Sequence, residues 1–302
     1  MDQHKARERH TSLKNQSSEE HLFMSNKMTS EEVLSLMILN SGISVTGTIS
    51  NFLVILAVLS NRQLRQTGTA VLMVSLSSFD LMLCVVYQPM KIYTINHVPS
   101  AMFNTVRRIL GYILILGSLN STFAISMDRF VSICFPYRYV EWTTGKLTFT
   151  MIFLTWFFAA AIAFLNEITE MPSPNYYLLV YITLLIVLII SFHVGMCWVA
   201  RREAKQIARL YPPECQEFSI WSKSTVAVAM VIVSKLVCWA PIIILLLFFP
   251  SYSPFAFQMT LAFASLNSAI NPFIFCWRLE EFRKALCLRT RVLRRKAVIT
   301  PN

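Results

Sequence analysis

Seven long apolar runs limit what this chain can fold into. They cover about 33–60, 67–94, 101–135, 147–167, 175–200, 222–249 and 254–277. A helix of roughly 20 apolar residues crosses the ~30 Å hydrocarbon layer of a bilayer. The alternating ten-residue segments that are typical of membrane-spanning β-strands are absent. We therefore predict an all-α membrane protein, a bundle of seven transmembrane helices.

The connections between the runs are short, which indicates one domain rather than several. Only 14% of the residues are charged, whereas a soluble domain carries about a quarter. We divide the chain into an extracellular N-terminal tail (1–32), a seven-span domain (33–277) and a final segment (278–302). The final segment begins "RLEEFRKALC", which predicts a short amphipathic eighth helix followed by a cytoplasmic tail.

The basic residues predict how the bundle is oriented. The segments after the first, third, fifth and seventh runs, counted together with the adjoining ends of the runs, hold 18 of the 27 Lys and Arg residues. The positive-inside rule then puts the N-terminus outside and the C-terminus in the cytoplasm, as in a multi-pass protein of the plasma membrane. Topology and contacts with membrane lipids account for the net charge of +11. A nucleic-acid partner is not needed to explain it.

The predicted orientation also selects modification sites. Asn15 begins an Asn-Gln-Ser glycosylation sequon in the outward tail. Cys287 follows the predicted eighth helix among basic residues, a setting that favours palmitoylation. All seven cysteines fall within spans or on the cytoplasmic side, so we predict no structural disulfide.

Short motifs follow one another along the seven runs. They are Asn51 in the first, Asp80 in the second, "DRFVSICFP" ending the third, Trp156 in the fourth, "CWAP" in the sixth and "NSAINPFIF" in the seventh. Because these motifs occur in this order and on these spans, the chain resembles the rhodopsin-like (class A) G-protein-coupled receptors. A missing extracellular cysteine, a short second outer loop and the absence of a proline in span 5 resemble the melanocortin, cannabinoid and lysophospholipid branch. No single member is a close match.

The resemblance implies a receptor that binds an extracellular ligand and activates a heterotrimeric G protein, with arrestin as a second partner. The family's coupling switch falls on Asp128, Arg129, Pro136, Tyr137, Asn271, Pro272 and Phe275. In the family, Trp239 is the ligand-contacting toggle at the pocket floor, and Pro241 kinks the helix beside it. Phe275 stands where the family has a tyrosine.

Asp80 lies near the middle of the membrane, where a carboxylate needs partners. The resemblance implies that it converges on a sodium site with Asn51, Ser118, Asn267, Ser268 and Asn271. The alternative is an interhelical hydrogen-bond network without an ion. Sodium at Asp80 is the one metal, and the one cofactor, that the sequence suggests.

Lys235 is unusual because it places a charge deep within span 6, one turn before Trp239. The family usually has a phenylalanine there. Three interpretations are open. The ammonium pairs with Asp80, directly or through water, and replaces sodium; the amine is neutral; or it binds backbone carbonyls freed by Pro241.

The outer end of span 3 indicates the kind of ligand. Gly111 stands where the family's amine receptors carry an aspartate, which argues against a biogenic amine. Arg107 and Arg108 suit an anionic ligand such as an acidic lipid, an organic acid or an acidic peptide. Tyr87 and Lys91 are placed at the same mouth. Alternatively, the arginines bind lipid headgroups or pair with Glu167 or Glu170.

Two other functions remain as alternatives, and a third is not predicted. A chemosensory receptor for odorants would share this fold and these motifs. A transporter or channel, which is less favoured, would show inverted repeats, and the sequence contains no internal repeat. An enzyme is not predicted, because the five histidines are scattered and no nucleophile–base set or metal-ligand cluster accompanies them.

Overall fold

Seven long helices make up the chain in the computed structural model, which describes residues 28–142, 145–168, 176–210, 219–249, 251–278 and 282–284. They are α1 (Ser30–Ser60), α2 (Gly68–Asn96), α3 (Ala101–Cys134), α4 (Gly145–Ile168), α5 (Tyr176–Leu210), α6 (Ser219–Phe248) and α7 (Pro254–Arg278). Each contains a stretch long and apolar enough to cross a membrane. The predicted all-α bundle is confirmed, and the chain is a multi-pass membrane protein.

Helix starts follow from capping residues in the sequence. Thr29 Oγ1 accepts a hydrogen bond from the Glu32 amide at 3.3 Å, and the Glu32 carboxylate accepts one from the Thr29 amide at 2.7 Å. This reciprocal pair satisfies amide groups that the first turn of α1 leaves free. The Ser100 hydroxyl caps α3 in the same way by accepting from the Phe103 amide at 3.3 Å.

α2 contains a π-helical turn, Leu83–Tyr87, which the sequence pattern did not predict. A π turn displaces backbone carbonyls from their usual partners. Here the Ser44 hydroxyl of α1 donates to the Cys84 carbonyl at 2.7 Å. The turn also presses Tyr87 onto α3, since a Cβ atom on Gly111 would lie 2.7 Å from the Tyr87 ring. Gly111 therefore provides room for Tyr87.

An aromatic pair and a glycine hold α2, α3 and α4 together. The Phe79 ring stacks on the Trp156 indole with their centroids 4.0 Å apart. The Trp156 indole N–H donates to the Ser75 hydroxyl at 3.2 Å. Gly117 of α3 lies directly against Phe79. Trp156 is thus held by both an aromatic contact and a hydrogen bond.

The two ends of the bundle are named after a residue that lies at each of them. The Arg129 end is the one where α3 finishes at Cys134 and a short helix, Pro136–Trp142, follows. The Lys91 end is the one where α2 finishes at Asn96.

Several predicted features lie partly or wholly outside the residues that the structure describes. Asn15, Cys287, Glu170 and most of the predicted eighth helix lie outside the described residues. Within the predicted eighth helix, residues 282–284 are helical. The Phe282 ring lies 6.3 Å from that of Phe275. The division of the chain into tail, span domain and final segment stays a prediction.

Candidate functional site

The Arg129 end contains a hydrogen-bonded ion pair between neighbouring residues. The Arg129 guanidinium donates to one Asp128 carboxylate oxygen through Nη2 at 2.9 Å and through Nε at 3.1 Å. Asp128 is 8% exposed. Charge-assisted bonds of this kind are about twice as strong as neutral ones. The pair therefore holds Arg129 folded back along α3.

Two further side chains close around this pair. The Thr69 hydroxyl of α2 donates to Asp128 Oδ2 at 2.5 Å and also contacts Arg129 Nη2. The Tyr139 hydroxyl donates to Asp128 Oδ1 at 3.0 Å and accepts from Arg129 Nη2 at 3.3 Å. Both Asp128 oxygens are thereby engaged, and α2, α3 and the helix Pro136–Trp142 are joined.

Sequence reasoning selected Tyr137 and missed Tyr139. Tyr137 is 89% exposed, whereas Tyr139 reaches the ion pair. Pro136 is the signal that could have found Tyr139, because proline is favoured in the first turn of a helix. A helix that starts at Pro136 turns Tyr137 and Tyr139 to different faces.

Asp80 lies at the centre of a second polar group, near the middle of α2. It is fully buried. The Ser268 hydroxyl donates to Asp80 Oδ1 at 2.7 Å, and the Asn271 amide donates to Oδ2 at 2.9 Å. Both donors belong to α7, next to the buried Pro272. The carboxylate is thus bound mainly to the helix that carries the Asn-Pro motif.

Two other residues of the predicted network, Asn51 and Asn267, make no hydrogen bond to Asp80 within the part of the chain that the structure describes. Asn51 donates to the carbonyls of Gly47 at 2.9 Å and Ser268 at 2.8 Å, which ties α1 to α7. Asn267 is buried, and within the described ranges its side-chain oxygen has no hydrogen-bond partner. Buried oxygens of this kind are where ordered water binds.

Lys235 extends from α6 to α3. Its ammonium donates to the Thr122 hydroxyl at 2.8 Å, to the Ser118 carbonyl at 3.3 Å and to the Ser118 hydroxyl at 3.4 Å. Lys235 therefore makes neither a direct hydrogen bond to Asp80 nor one to the backbone carbonyls near Pro241, the two direct contacts that the sequence suggested. Ser118, a predicted sodium ligand, has both oxygens bound to Lys235. The residues present therefore do not fit a sodium ion at this position.

A cavity of about 250 Å³ runs through the bundle from the Lys91 end to Lys235. Trp239 of α6 lines it, as does Asn267 of α7. Most of the remaining lining is apolar, including Leu83, Ile115, Leu116, Ile182, Ile242, Phe257 and Leu261. Such a cavity is suited to an amphiphilic molecule.

The charged residues near the cavity mouth differ in whether they are paired. Arg108 is bound to Glu167 of α4, with Nη2 2.5 Å from the carboxylate, which is one of the two predicted interpretations. Lys91 lines the cavity, is 2% exposed, and its amine has no hydrogen-bond partner among the residues that the structure describes. Arg107 is close enough to Lys91 and Tyr87 to interact electrostatically with both. Lys91 is therefore a buried amine that faces the cavity and is available to a ligand.

Comparison with known proteins agrees with this architecture. Residues 50–275 match the family described as 7 transmembrane receptor (rhodopsin family). The chain is 25% identical over 275 residues to melatonin receptor type 1B-B from Danio rerio, a match that covers 80% of this chain and 77% of that one. It is 25% identical to melanocortin receptor 5 from Homo sapiens, covering 80% of each chain. It is 24% identical to cannabinoid receptor 2 from Mus musculus, covering 85% of this chain and 81% of that one.

These relatives share the predicted fold and differ in the ligands for which they are named. No single one stands out, as the sequence motifs predicted. They are receptors, which agrees with the prediction that the chain is not an enzyme. The family match extends from α1 to α7 and includes the ion pair, the Asp80 group and the cavity lining. The chain belongs to the rhodopsin family of seven-transmembrane, G-protein-coupled receptors.

Proposed function

We propose that this receptor lies in the plasma membrane with its N-terminus outside and binds an extracellular ligand that carries an anionic group. The ligand binds in the cavity, and the receptor then activates a heterotrimeric G protein at the Arg129 end. Arrestin is the second cytoplasmic partner. One observation carries the ligand class: the buried, unpaired ammonium of Lys91, which lines the cavity.

An unpaired charge in this position is costly. Buried ammonium groups in membrane proteins are normally paired, because each lost solvation shell costs several kcal/mol. A carboxylate or phosphate from the ligand supplies the missing partner and recovers that free energy. Arg107 adds a second positive charge near Lys91, which favours an anion further.

The rest of the cavity limits the ligand's other end. Its walls are mainly apolar, with Leu and Ile the most frequent residues, and its volume of about 250 Å³ is slightly below the range that is usual for small-molecule sites. An acidic lipid, a hydrophobic organic acid or an acidic peptide side chain meets both conditions. Trp239 lies along the same cavity, so a bound apolar segment contacts the helix that carries Lys235.

The first prediction concerns Lys91→Met. We expect about a tenfold or larger loss of potency toward an anionic agonist, because one charge-assisted contact contributes roughly 1.5–3 kcal/mol. The probes are free fatty acids, lysophosphatidic acid and aromatic carboxylic acids, each beside its neutral ester or uncharged analogue. Sensors for each G-protein class, in cells with matched surface expression, give the readout.

Arg108→Ala is the matched control. Arg108 is basic and near the same mouth but is paired with Glu167, so its loss should change potency by less than about threefold. An agonist that is neutral or cationic, or one whose potency is equal in wild type and Lys91→Met, would refute the proposed ligand class.

A further inference from the structure

We propose that the Lys235 ammonium is the receptor's own internal cation, attached to α6 and occupying the role of a sodium ion beside Asp80. The resting receptor is then insensitive to sodium. This inference goes beyond the proposed function, because it depends on neither the ligand nor the G protein.

Lys235 lies too deep in α6 for its side chain to reach either membrane surface. It is 5% exposed and stands sixteen residues after Ser219 and thirteen before Phe248. At 1.5 Å per residue, each end of α6 is roughly 20 Å away, whereas a lysine side chain reaches about 6 Å. Its charge must therefore be stabilised inside the bundle.

The oxygens that stabilise it are those of α3. Thr122 and Ser118 supply three acceptors within 3.4 Å of the ammonium, which can donate three hydrogen bonds. The Ser118 hydroxyl is also close enough to the Asp80 carboxylate to interact with it, which places this hydroxyl near both the cation and the carboxylate. Lys235 and Asp80 attract each other across it. The geometry is that of an ion pair bridged by one hydroxyl group.

A sodium ion at Asp80 would meet two obstacles. Both Ser118 oxygens are already bound to Lys235. In addition, a second cation a few ångströms from the ammonium is repelled by an amount that, at an effective dielectric constant of about 20, weakens its binding on the order of a hundredfold. The two hydrogen bonds that Asp80 accepts from α7 do not involve Lys235.

Attachment to the protein changes what the cation does. A free ion leaves the site when a receptor changes shape, but the Lys235 ammonium moves with α6. Outward movement of α6 therefore pulls the charge away from Ser118 and Thr122. The Lys235 ammonium then compensates the Asp80 charge only while α6 stays close to α3, so charge compensation and the position of α6 are linked.

The test uses purified receptor and needs no ligand. Thermal unfolding is followed with a thiol-reactive dye that reports exposure of the buried Cys84 and Cys238 thiols. Wild type and Lys235→Met are compared in NaCl and in choline chloride at equal ionic strength. We expect the wild-type midpoint to differ by less than about 1 °C between the salts and that of Lys235→Met to rise by several °C in sodium, through binding to the folded state.

Two controls connect the sodium response to this site. Adding Asp80→Asn to Lys235→Met should remove the sodium response. Ser234→Ala, which changes the neighbouring residue of α6 and a hydroxyl bonded to Val231 of the same helix, should behave as wild type. If Lys235→Met does not fold, Lys235→Gln serves as the uncharged variant. A wild type that sodium stabilises by several °C, or a folded uncharged variant without a sodium response, would overturn the proposal.

Discussion

Asp128→Asn is expected to raise agonist-free G-protein activation about tenfold, and Arg129→Ala is expected to abolish activation. The Asp128 carboxylate accepts two bonds from Arg129 and one each from Thr69 and Tyr139. Replacing a charged acceptor by a neutral amide removes roughly 1.5–3 kcal/mol of this restraint. Since 1.4 kcal/mol is a factor of ten, the population with a released Arg129 rises accordingly.

The restraint should weaken in steps as its members are removed. Thr69→Val and Tyr139→Phe each delete one neutral donor to Asp128, so each should raise basal activity by about two- to fivefold. Thr150→Ala, whose hydroxyl is bonded to the Lys146 carbonyl of its own helix, should have no effect. Adding Arg129→Ala to Asp128→Asn should cancel the gain, because we expect the released guanidinium to be the group that contacts the G protein.

G-protein sensors read at matched surface expression measure these effects. Equal basal activity in wild type and Asp128→Asn would contradict the restraint. Equal activity in Asp128→Asn with and without Arg129→Ala would show that Arg129 is not the signalling group.

Hydropathy predicted the bundle because a membrane leaves the backbone few choices. A chain that crosses hydrocarbon must satisfy its own backbone hydrogen bonds, so each apolar run of sufficient length becomes a helix. The π turn at Leu83–Tyr87 escaped prediction for the opposite reason. Its displaced carbonyl is satisfied by Ser44 of another helix, and no local residue pattern marks that contact.

The sequence was sufficient to predict which motif residues form the candidate site, but not which residues most of them bind. Asp128 and Arg129 are adjacent in sequence, so their ion pair needs no knowledge of the fold. The partners of Lys235 depend on the axial alignment of α6 against α3, which a hydropathy pattern does not record. For the same reason the sequence pattern favoured Arg108 over Lys91 as a ligand contact, although Arg108 is paired with Glu167 of α4 and the Lys91 amine has no hydrogen-bond partner in the described part of the chain.

The close contact between Gly117 and Phe79 leads to a prediction about folding. A Cβ atom on Gly117 would lie 2.1 Å from the nearest Phe79 ring carbon and 2.4 Å from two others. Phe79 is fully buried and stacks on Trp156, which is itself hydrogen-bonded to Ser75. The ring therefore has little room to move. Overpacking of this kind costs about 1–3 kcal/mol or more.

We expect Gly117→Ala to reduce folded receptor at the cell surface about tenfold or more, because native proteins are only marginally stable. Surface labelling and the thermal unfolding midpoint of whatever folds are the measurements. Gly42→Ala is the matched control, since a Cβ atom there meets nothing within 4 Å. Phe79→Leu should restore part of the surface expression when combined with Gly117→Ala, because the smaller side chain frees the space that the ring occupied. Normal surface expression and an unchanged midpoint in Gly117→Ala would show that α2 and α3 do not depend on this contact.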